Sequence, residues 1–225
     1  MSFADKKLSE IAISVPGSTA LLREYDLDFC CGGADTLGAA AAEKNLNLAE
    51  IEARLTELQN SKKQDDEQRW LTAPYADMIN HIIHRYHERH KQQLSELFVL
   101  AERVESVHGD RDDCPIGVAA EIQNIYADLS SHMMKEEQIL FPMIKMGNYA
   151  MARMPIQVME HEHAEHGEHL EVLKSLTNNL TPPADACNTW RALYSGIQEF
   201  MDDLMMHIHT ENNILFPRVI EEGSR

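Results

Sequence analysis

The chain has 225 residues, of which 37 are acidic and 20 are basic, so its formal net charge is −17 at neutral pH. Nucleic-acid phosphates and anionic lipid headgroups repel a protein this acidic, which argues against nucleic-acid and membrane partners. The sequence contains no apolar run long enough to span a membrane, and its first residues, MSFADKKLSE, lack the apolar core of a signal peptide. We therefore expect a cytoplasmic protein that acts on small molecules or on other proteins.

Residues 1–59 are predicted to form a small helical domain. Apolar residues recur at helical spacing from Leu8 to Leu22 and again from Leu37 to Leu58. Between these stretches lies the turn-rich sequence DLDFCCGG, with adjacent Cys30 and Cys31. The two glycines indicate exposed thiols, which suits a redox pair or a transient contact with a soft metal or a cluster. The alternative is that both cysteines are small apolar core residues, and four cysteines in the chain do not indicate a disulfide framework.

A charged segment separates this domain from the rest of the chain. The sequence NSKKQDDEQ, residues 60–68, contains no apolar residue and predicts a linker, which we place at residues 60–76. The second domain, residues 77–225, shows no sustained alternation of apolar and polar residues, so an all-α fold is expected. Four helices are predicted, at residues 77–107, 118–146, 155–178 and 184–221. Pro142 and Pro217 are expected to kink or end their helices.

A motif occurs twice in the second domain, 75 positions apart. His132 and Glu136 are followed by the sequence ILFP, and so are His207 and Glu211. On an α-helix, residues four apart lie on one face, and both glutamates project near the centre of the apolar face of their helix. A carboxylate in an apolar core costs several kcal/mol unless it is paired or binds a metal. The repeat therefore predicts that Glu136 and Glu211 share a bound cation.

Each copy of the motif is preceded by a pair of histidines. His87 and His90 come before the first copy, and His163 and His166 come before the second. All four lie near apolar faces, and helical geometry does not rank the two members of either pair. Glu160, in the sequence Glu-x-x-His, is a candidate for orienting an imidazole. Other nearby residues are predicted to be solvent residues: His81, His84, Glu137, His161, His169 and His209.

The predicted ligand set indicates the metal. Two carboxylates and four imidazoles, with no thiolate, exceed what a tetrahedral zinc site requires. Two metals that share the glutamates would each receive two imidazole nitrogens and two carboxylate oxygens. This arrangement leaves room for an oxo or hydroxo bridge, and it suits iron first and manganese second. The zinc-protease pattern HExxH is absent, because a pattern that starts at His87 has Lys91 at its fifth position.

Five segments together resemble a known family: YDLDFCCGG, RYHERH, SHMMKEEQILFPMI, MEHEHAEHGE and MMHIHTENNILFP. They are similar to the bacterial iron–sulfur cluster repair di-iron proteins, the RIC or YtfE/ScdA group. The resemblance implies a hemerythrin-like four-helix bundle behind a small N-terminal domain that carries Cys30 and Cys31. It also implies two iron ions per chain, with Glu136 and Glu211 as bridges. The histidine ligands implied by the resemblance are His87, His132, His163 and His207, which leaves His90 and His166 as alternates.

The same resemblance implies a function in the cytoplasm. The expected role is repair of iron–sulfur clusters damaged by nitrosative or oxidative stress, with iron donated from the di-iron site to proteins that carry damaged clusters. One alternative is an enzyme that reduces nitric oxide to nitrous oxide at the same site. Another is reversible binding or sensing of oxygen or nitric oxide. Donation is preferred over catalysis, and the oligomeric state, a homodimer included, is left open.

Overall fold

The computed structural model describes residues 2–61 and 66–224, and within these ranges the protein is helical and contains no β-strand. Lys7 and Thr36 form an isolated antiparallel bridge. The prediction of an all-α fold is confirmed. No helix within the described ranges has the length and apolar character needed to cross a membrane.

The chain divides into two compact units. One consists of Met1–Met78 together with Met205–Arg225, and the other of Ile79–Leu204. The predicted domain boundaries near residues 59 and 77 stay a prediction, because the first unit also includes the C-terminal segment.

The first unit is built from short helices around an apolar core. Its helices are α1 (Leu8–Ser14), α2 (Ser18–Glu24), α3 (Leu37–Glu43), α4 (Leu48–Asn60), a 3-10 helix (Asp66–Leu71) and, from the C-terminal segment, α11 (Phe216–Glu222). The side chains of Thr36 and Asn47 cap α3 and α4 by accepting bonds from backbone N–H groups. Its fully buried side chains include Leu8, Ile11, Leu22, Phe29, Leu37, Ile51 and Phe216.

Parts of the predicted linker are helical. Asn60 still belongs to α4, residues 62–65 lie outside the described ranges, and the 3-10 helix follows. Arg218 donates hydrogen bonds to the carbonyl oxygens of Trp70, at 2.6 Å, and Ala73, at 2.7 Å. Residues 70–73 are therefore fastened to the C-terminal segment within the first unit.

The second unit contains the long helices of the predicted bundle. Its elements are α5 (Tyr75–Ile82), which begins in the first unit, α6 (Glu88–His108), α7 (Val118–Lys135), α8 (Phe141–Lys145), α9 (Tyr149–Leu176) and α10 (Asn188–His209), which ends in the first unit. Helix α6 packs against α7, and α7 packs against α9. A hydrogen bond of 2.8 Å from Gln93 to Asp203 joins α6 to α10.

Helix α9 begins six residues earlier than predicted. The prediction placed Pro155 at the start of the helix, but Pro155 lies inside α9, which starts at Tyr149. A proline removes the one intrahelical hydrogen bond that its own nitrogen would donate. The buried side chains of Ala152 and Ile156 on either side of the proline hold this part of the helix against the core.

In the part of the chain that the structure describes, three π-helical turns interrupt the long helices at the predicted ligands. They are Ile83–His87, Glu136–Leu140 and Thr210–Leu215, and they contain His87, Glu136 and Glu211 respectively. Such single π-turns occur frequently at functional sites, because the extra residue redirects the side chains on one face. Pro142 and Pro217 stand in the first turns of α8 and α11, directly after two of these turns. The prolines therefore follow a widened turn, after which each helix continues.

Candidate metal centre

A buried carboxylate lies at the centre of the ligand cluster in the second unit. Glu136 is completely buried, and neither of its oxygens accepts a hydrogen bond within the described ranges. Its Oε2 lies 3.3 Å from Nε2 of His87 and 3.5 Å from Nε2 of His132. The Nε2 atoms of His132 and His163 are 3.0 Å apart. One ligand atom from each of His132, Glu136 and His163 lies within 4.8 Å of the others, which is compact enough for one cation.

Two of these imidazoles are oriented by other carboxylates. Nδ1 of His87 lies 2.9 Å from Glu137, and Nδ1 of His132 lies 2.9 Å from Glu162. A carboxylate accepts hydrogen bonds, so each Nδ1–H is the donor, and in the neutral ring Nε2 then carries a lone pair. Both Nε2 atoms face Oε2 of Glu136. A cation compensates a cluster made of acceptors, so the residues present fit a metal ion.

The carboxylate of Glu162 contacts a lysine as well as His132. Lys135 donates to its second oxygen. The pKa of Glu162 is lowered to about 2, first by the hydrogen bond from His132 and then by the bond from Lys135. An ionised partner at Nδ1 makes the imidazole a stronger metal ligand. The sequence had suggested Glu160 for this role, but Glu160 is exposed, and the carboxylate bonded to His132 comes two residues later.

Glu137 is the corresponding partner of His87, a contact that its projection toward solvent did not reveal. Its side chain is 34% exposed, and it lies 3.7 Å from Lys91. Projected around its helix, Glu137 points away from the apolar face, but it reaches His87 on the neighbouring segment. His87 and His132 thus each contact a carboxylate through Nδ1, and each of these carboxylates also contacts a lysine.

The second copy of the motif forms a histidine–glutamate pair in the first unit. His207 and Glu211 are both completely buried, and Nε2 of His207 lies 3.3 Å from Oε1 of Glu211. Glu211 stands in the π-turn Thr210–Leu215, as Glu136 stands in its own. The burial of both glutamates agrees with their position on the apolar faces.

His90 and His166, the alternate ligand candidates, are buried, but they lie outside the compact groups of ligand atoms. Nδ1 of His90 lies 3.4 Å from the side-chain oxygen of Gln93, and the side-chain nitrogen of Gln93 donates to Asp203. The ring of His166 lies edge-on to that of His132, with centroids 4.9 Å apart. Among the described residues, neither histidine belongs to a compact group of ligand atoms. The roles of all eight histidine and glutamate candidates as metal ligands stay predictions.

The prediction of His209 as a solvent residue is wrong. It is 1% exposed, and its ring packs edge-on against Phe29 with centroids 5.3 Å apart. Its Nδ1 lies 2.8 Å from Nδ2 of Asn213, so it accepts a hydrogen bond from that amide. The residues that cover His209 are distant in sequence, and for that reason the periodicity of its own helix did not reveal its burial.

Asp28 organises the loop of the two cysteines. Its carboxylate accepts bonds from the backbone N–H groups of Cys30 (2.9 Å), Cys31 (2.9 Å) and Gly32 (2.8 Å). The thiol of Cys30 also donates to Asp28, at 3.2 Å, and the two sulfur atoms are 3.7 Å apart. The pKa of the Cys30 thiol is raised well above its usual range, first by its hydrogen bond with Cys31 and then by burial.

The expectation that both thiols are exposed is wrong for Cys30, which is buried, whereas Cys31 is partly exposed. The glycines serve close packing rather than exposure. A Cβ atom at Gly33 would lie 2.6 Å from the carbonyl oxygen of Phe29 and 2.9 Å from Cβ of Ser9. Only glycine fits there without a shift of the backbone.

Comparisons with known proteins agree with this arrangement. Residues 78–219 match the family described as the hemerythrin HHE cation binding domain, and residues 4–59 match ScdA_N, a domain of unknown function. A "Probable iron-sulfur cluster repair protein" of Haemophilus influenzae is 69% identical over 222 residues, which cover 99% of this chain and 100% of that protein. The chain belongs to the family of iron–sulfur cluster repair proteins. The iron–sulfur cluster repair proteins YtfE of Musicola paradisiaca and Pectobacterium atrosepticum are 57% and 55% identical, over 98% of this chain and 98% and 99% of theirs.

The two family matches cover both groups of candidate residues. The hemerythrin match includes the histidines and glutamates described above, and the ScdA_N match includes Cys30 and Cys31. The expected resemblance and the hemerythrin-like helical fold are therefore confirmed. The buried histidine–glutamate groups together with this family indicate that the chain binds iron.

Proposed function

We propose that this repair protein stores two iron ions and donates iron as cargo to damaged iron–sulfur clusters in other proteins. The observation that carries the proposal is the burial of Glu136 with no hydrogen bond to its oxygens within the described ranges, beside imidazole nitrogens that present lone pairs. A cation stabilises such a cluster, and histidine and carboxylate are ligands that iron accepts.

The internal repeat supports a dinuclear site. From the repeated motif we assign His87, His132, His163 and His207 as imidazole ligands, with Glu136 and Glu211 as shared carboxylates. Each metal would then receive two nitrogens and two carboxylate oxygens, as in other carboxylate-bridged bundles. When bound, iron supplies positive charge and redox chemistry to this otherwise anionic core.

Donation rather than permanent retention follows from the ligand chemistry. Imidazole and carboxylate hold iron less firmly than four thiolates do, so a cluster scaffold with vacant thiolates can take iron from this site. Cys30 and Cys31, with sulfur atoms 3.7 Å apart, offer soft ligands in the same unit as His207 and Glu211. Within the described ranges no cysteine forms a disulfide, which suits the reducing cytoplasm, where we place this reaction.

The test uses the purified chain loaded with isotopically labelled iron and an enzyme whose four-iron cluster has been damaged with nitric oxide. With the loaded chain as the only iron source, we expect labelled iron to enter the client and its activity to return. The Glu136→Ala/Glu211→Ala variant should bind little iron and restore no activity, whereas the exposed-site control Glu96→Gln should behave as the native chain. Recovery without label in the client would contradict donation.

The same incubation distinguishes the enzymatic alternative. If the reduced, loaded chain turns nitric oxide into nitrous oxide and transfers no label, the site is a nitric oxide reductase. If the chain binds oxygen or nitric oxide reversibly and keeps all of its iron, it is a carrier or sensor. Both results would replace the donation proposal.

A further inference from the structure

Two asparagine side chains fasten the cysteine loop to the segment of the second metal-ligand motif. Nδ2 of Asn212 donates to the carbonyl oxygen of Cys30 at 3.0 Å, and Nδ2 of Asn213 donates to that of Phe29 at 2.8 Å. All of these residues belong to the first unit. The two bonds reach consecutive carbonyl groups directly before Cys31, which is the more accessible thiol.

The loop is thereby held from two sides. Asp28 accepts the N–H groups of Cys30, Cys31 and Gly32, and the asparagines donate to the carbonyls on the opposite side of the chain. A loop whose donors and acceptors are both engaged has few alternative positions. The direction of the Cys31 thiol therefore depends on where the two amides stand.

The position of the amides depends in turn on the neighbouring ligand. Asn212 and Asn213 directly follow Glu211 and lie in the same π-turn, Thr210–Leu215. The carboxylate of Glu211 is completely buried, so a change in what it binds must be accommodated by this turn. A widened turn shifts several side chains together when one of them is displaced.

We propose that Asn212 and Asn213 are positioning residues that couple the ligand state of the His207–Glu211 pair to the accessibility of Cys31. When iron is bound at the pair, the turn stays in place and the two amides keep the cysteine loop in position. The Cys31 thiol is then shielded from reagents. When iron is lost, the turn becomes more mobile and the Cys31 thiol becomes accessible, so it can bind a new ligand. This coupling rests on the proposed function, because it takes iron as the occupant of the pair.

The first experiment measures alkylation of Cys31 by iodoacetamide in the full-length chain, with peptide mapping to separate it from the other thiols. In the native chain we expect the ferrous-iron-loaded form to react about fivefold more slowly than the chelated form, the factor carried by one hydrogen bond. In the Asn212→Ala/Asn213→Ala variant, Cys31 should be alkylated at the same rate in the loaded and the chelated form. The iron content of this variant should equal that of the native chain. The matched control Asn124→Ala changes an exposed asparagine on α7 and should retain the native difference.

Equal rates in the loaded and chelated native chain would overturn the coupling, and so would a double variant that keeps the native difference. A double variant that loses its iron would overturn it too, because the amides would then act on the metal site itself. Hydrogen exchange in the native chain gives a test that needs no variant. Loading should slow exchange both in residues 205–215 and in residues 28–33, and slowing confined to 205–215 would contradict the proposal. Failure of the proposed function is recognised separately, since in that case the native chain would bind no iron or would transfer none.

Discussion

Replacing the central glutamate by glutamine should stabilise the metal-free protein. Glu136 is completely buried, its oxygens accept no hydrogen bond within the described ranges, and the nearest nitrogen is Nε2 of His87, at 3.3 Å. In Glu136→Gln the new amide can donate to that nitrogen, which carries a lone pair because its Nδ1–H is bonded to Glu137. Removing an unsatisfied buried acceptor is worth about 1–3 kcal/mol. We expect the free energy of unfolding of the metal-free chain to rise by about 2 kcal/mol.

The assay is thermal and urea unfolding of chelated protein, followed by circular dichroism. For a chain of this size, about 2 kcal/mol corresponds to an increase in Tm of roughly 4–8 °C. The iron-loaded variant should show the opposite change, because it loses a carboxylate ligand and with it the stabilisation that bound metal contributes. The control Glu96→Gln, at an exposed site on α6, should change stability by less than about 0.5 kcal/mol. A metal-free Glu136→Gln variant that is no more stable than the native chain would refute the claim that this carboxylate awaits a cation.

Three further substitutions test other contacts. Glu162→Gln should weaken iron binding about 10- to 100-fold in chelator competition, since it removes the carboxylate bonded to a ligand imidazole. The control Glu168→Gln, at an exposed site on the same helix, should not, and equal affinities of the two variants would contradict the orienting role of Glu162. The pKa of Cys187 is lowered to about 7, first by the backbone N–H of Trp190 and then by His108, so its alkylation rate should rise through pH 7 as the thiolate forms. His108→Gln should move that midpoint upward, and an unchanged pH profile would argue against the contact of 3.3 Å between the two side chains. Gly33→Ala should destabilise the first unit by about 1–3 kcal/mol in urea unfolding, because the added Cβ would lie 2.6 Å from a carbonyl oxygen. An unchanged unfolding midpoint would show that the loop can move to accept the Cβ.

Properties that depend on one helix alone were predictable from the chain. The four-residue spacing in the two motifs, set against the apolar positions of the same helices, predicted that Glu136 and Glu211 point into the interior, and both are completely buried. The duplication excluded a chance placement. The CCGG loop was likewise placed between helical segments by its turn residues.

Contacts between elements were not predictable in the same way. Glu162 lies on α9 and reaches His132 on α7, and nothing in the spacing within either helix distinguishes it from the exposed Glu160. The same holds for His209, which is covered by Phe29 from a segment about 180 residues away. Cys30 was expected to be exposed, yet it is buried in a loop held by Asn212.

The amino-acid sequence alone determined the helical class, the repeated ligand motif and the inward direction of its glutamates, because side-chain direction on a helix follows from a constant rotation per residue. Tertiary structure alone decided which carboxylates orient His87 and His132, which cysteine stays accessible and how the cysteine loop is fastened. These features depend on the distance and rotation between segments remote in the chain, quantities that no local periodicity contains.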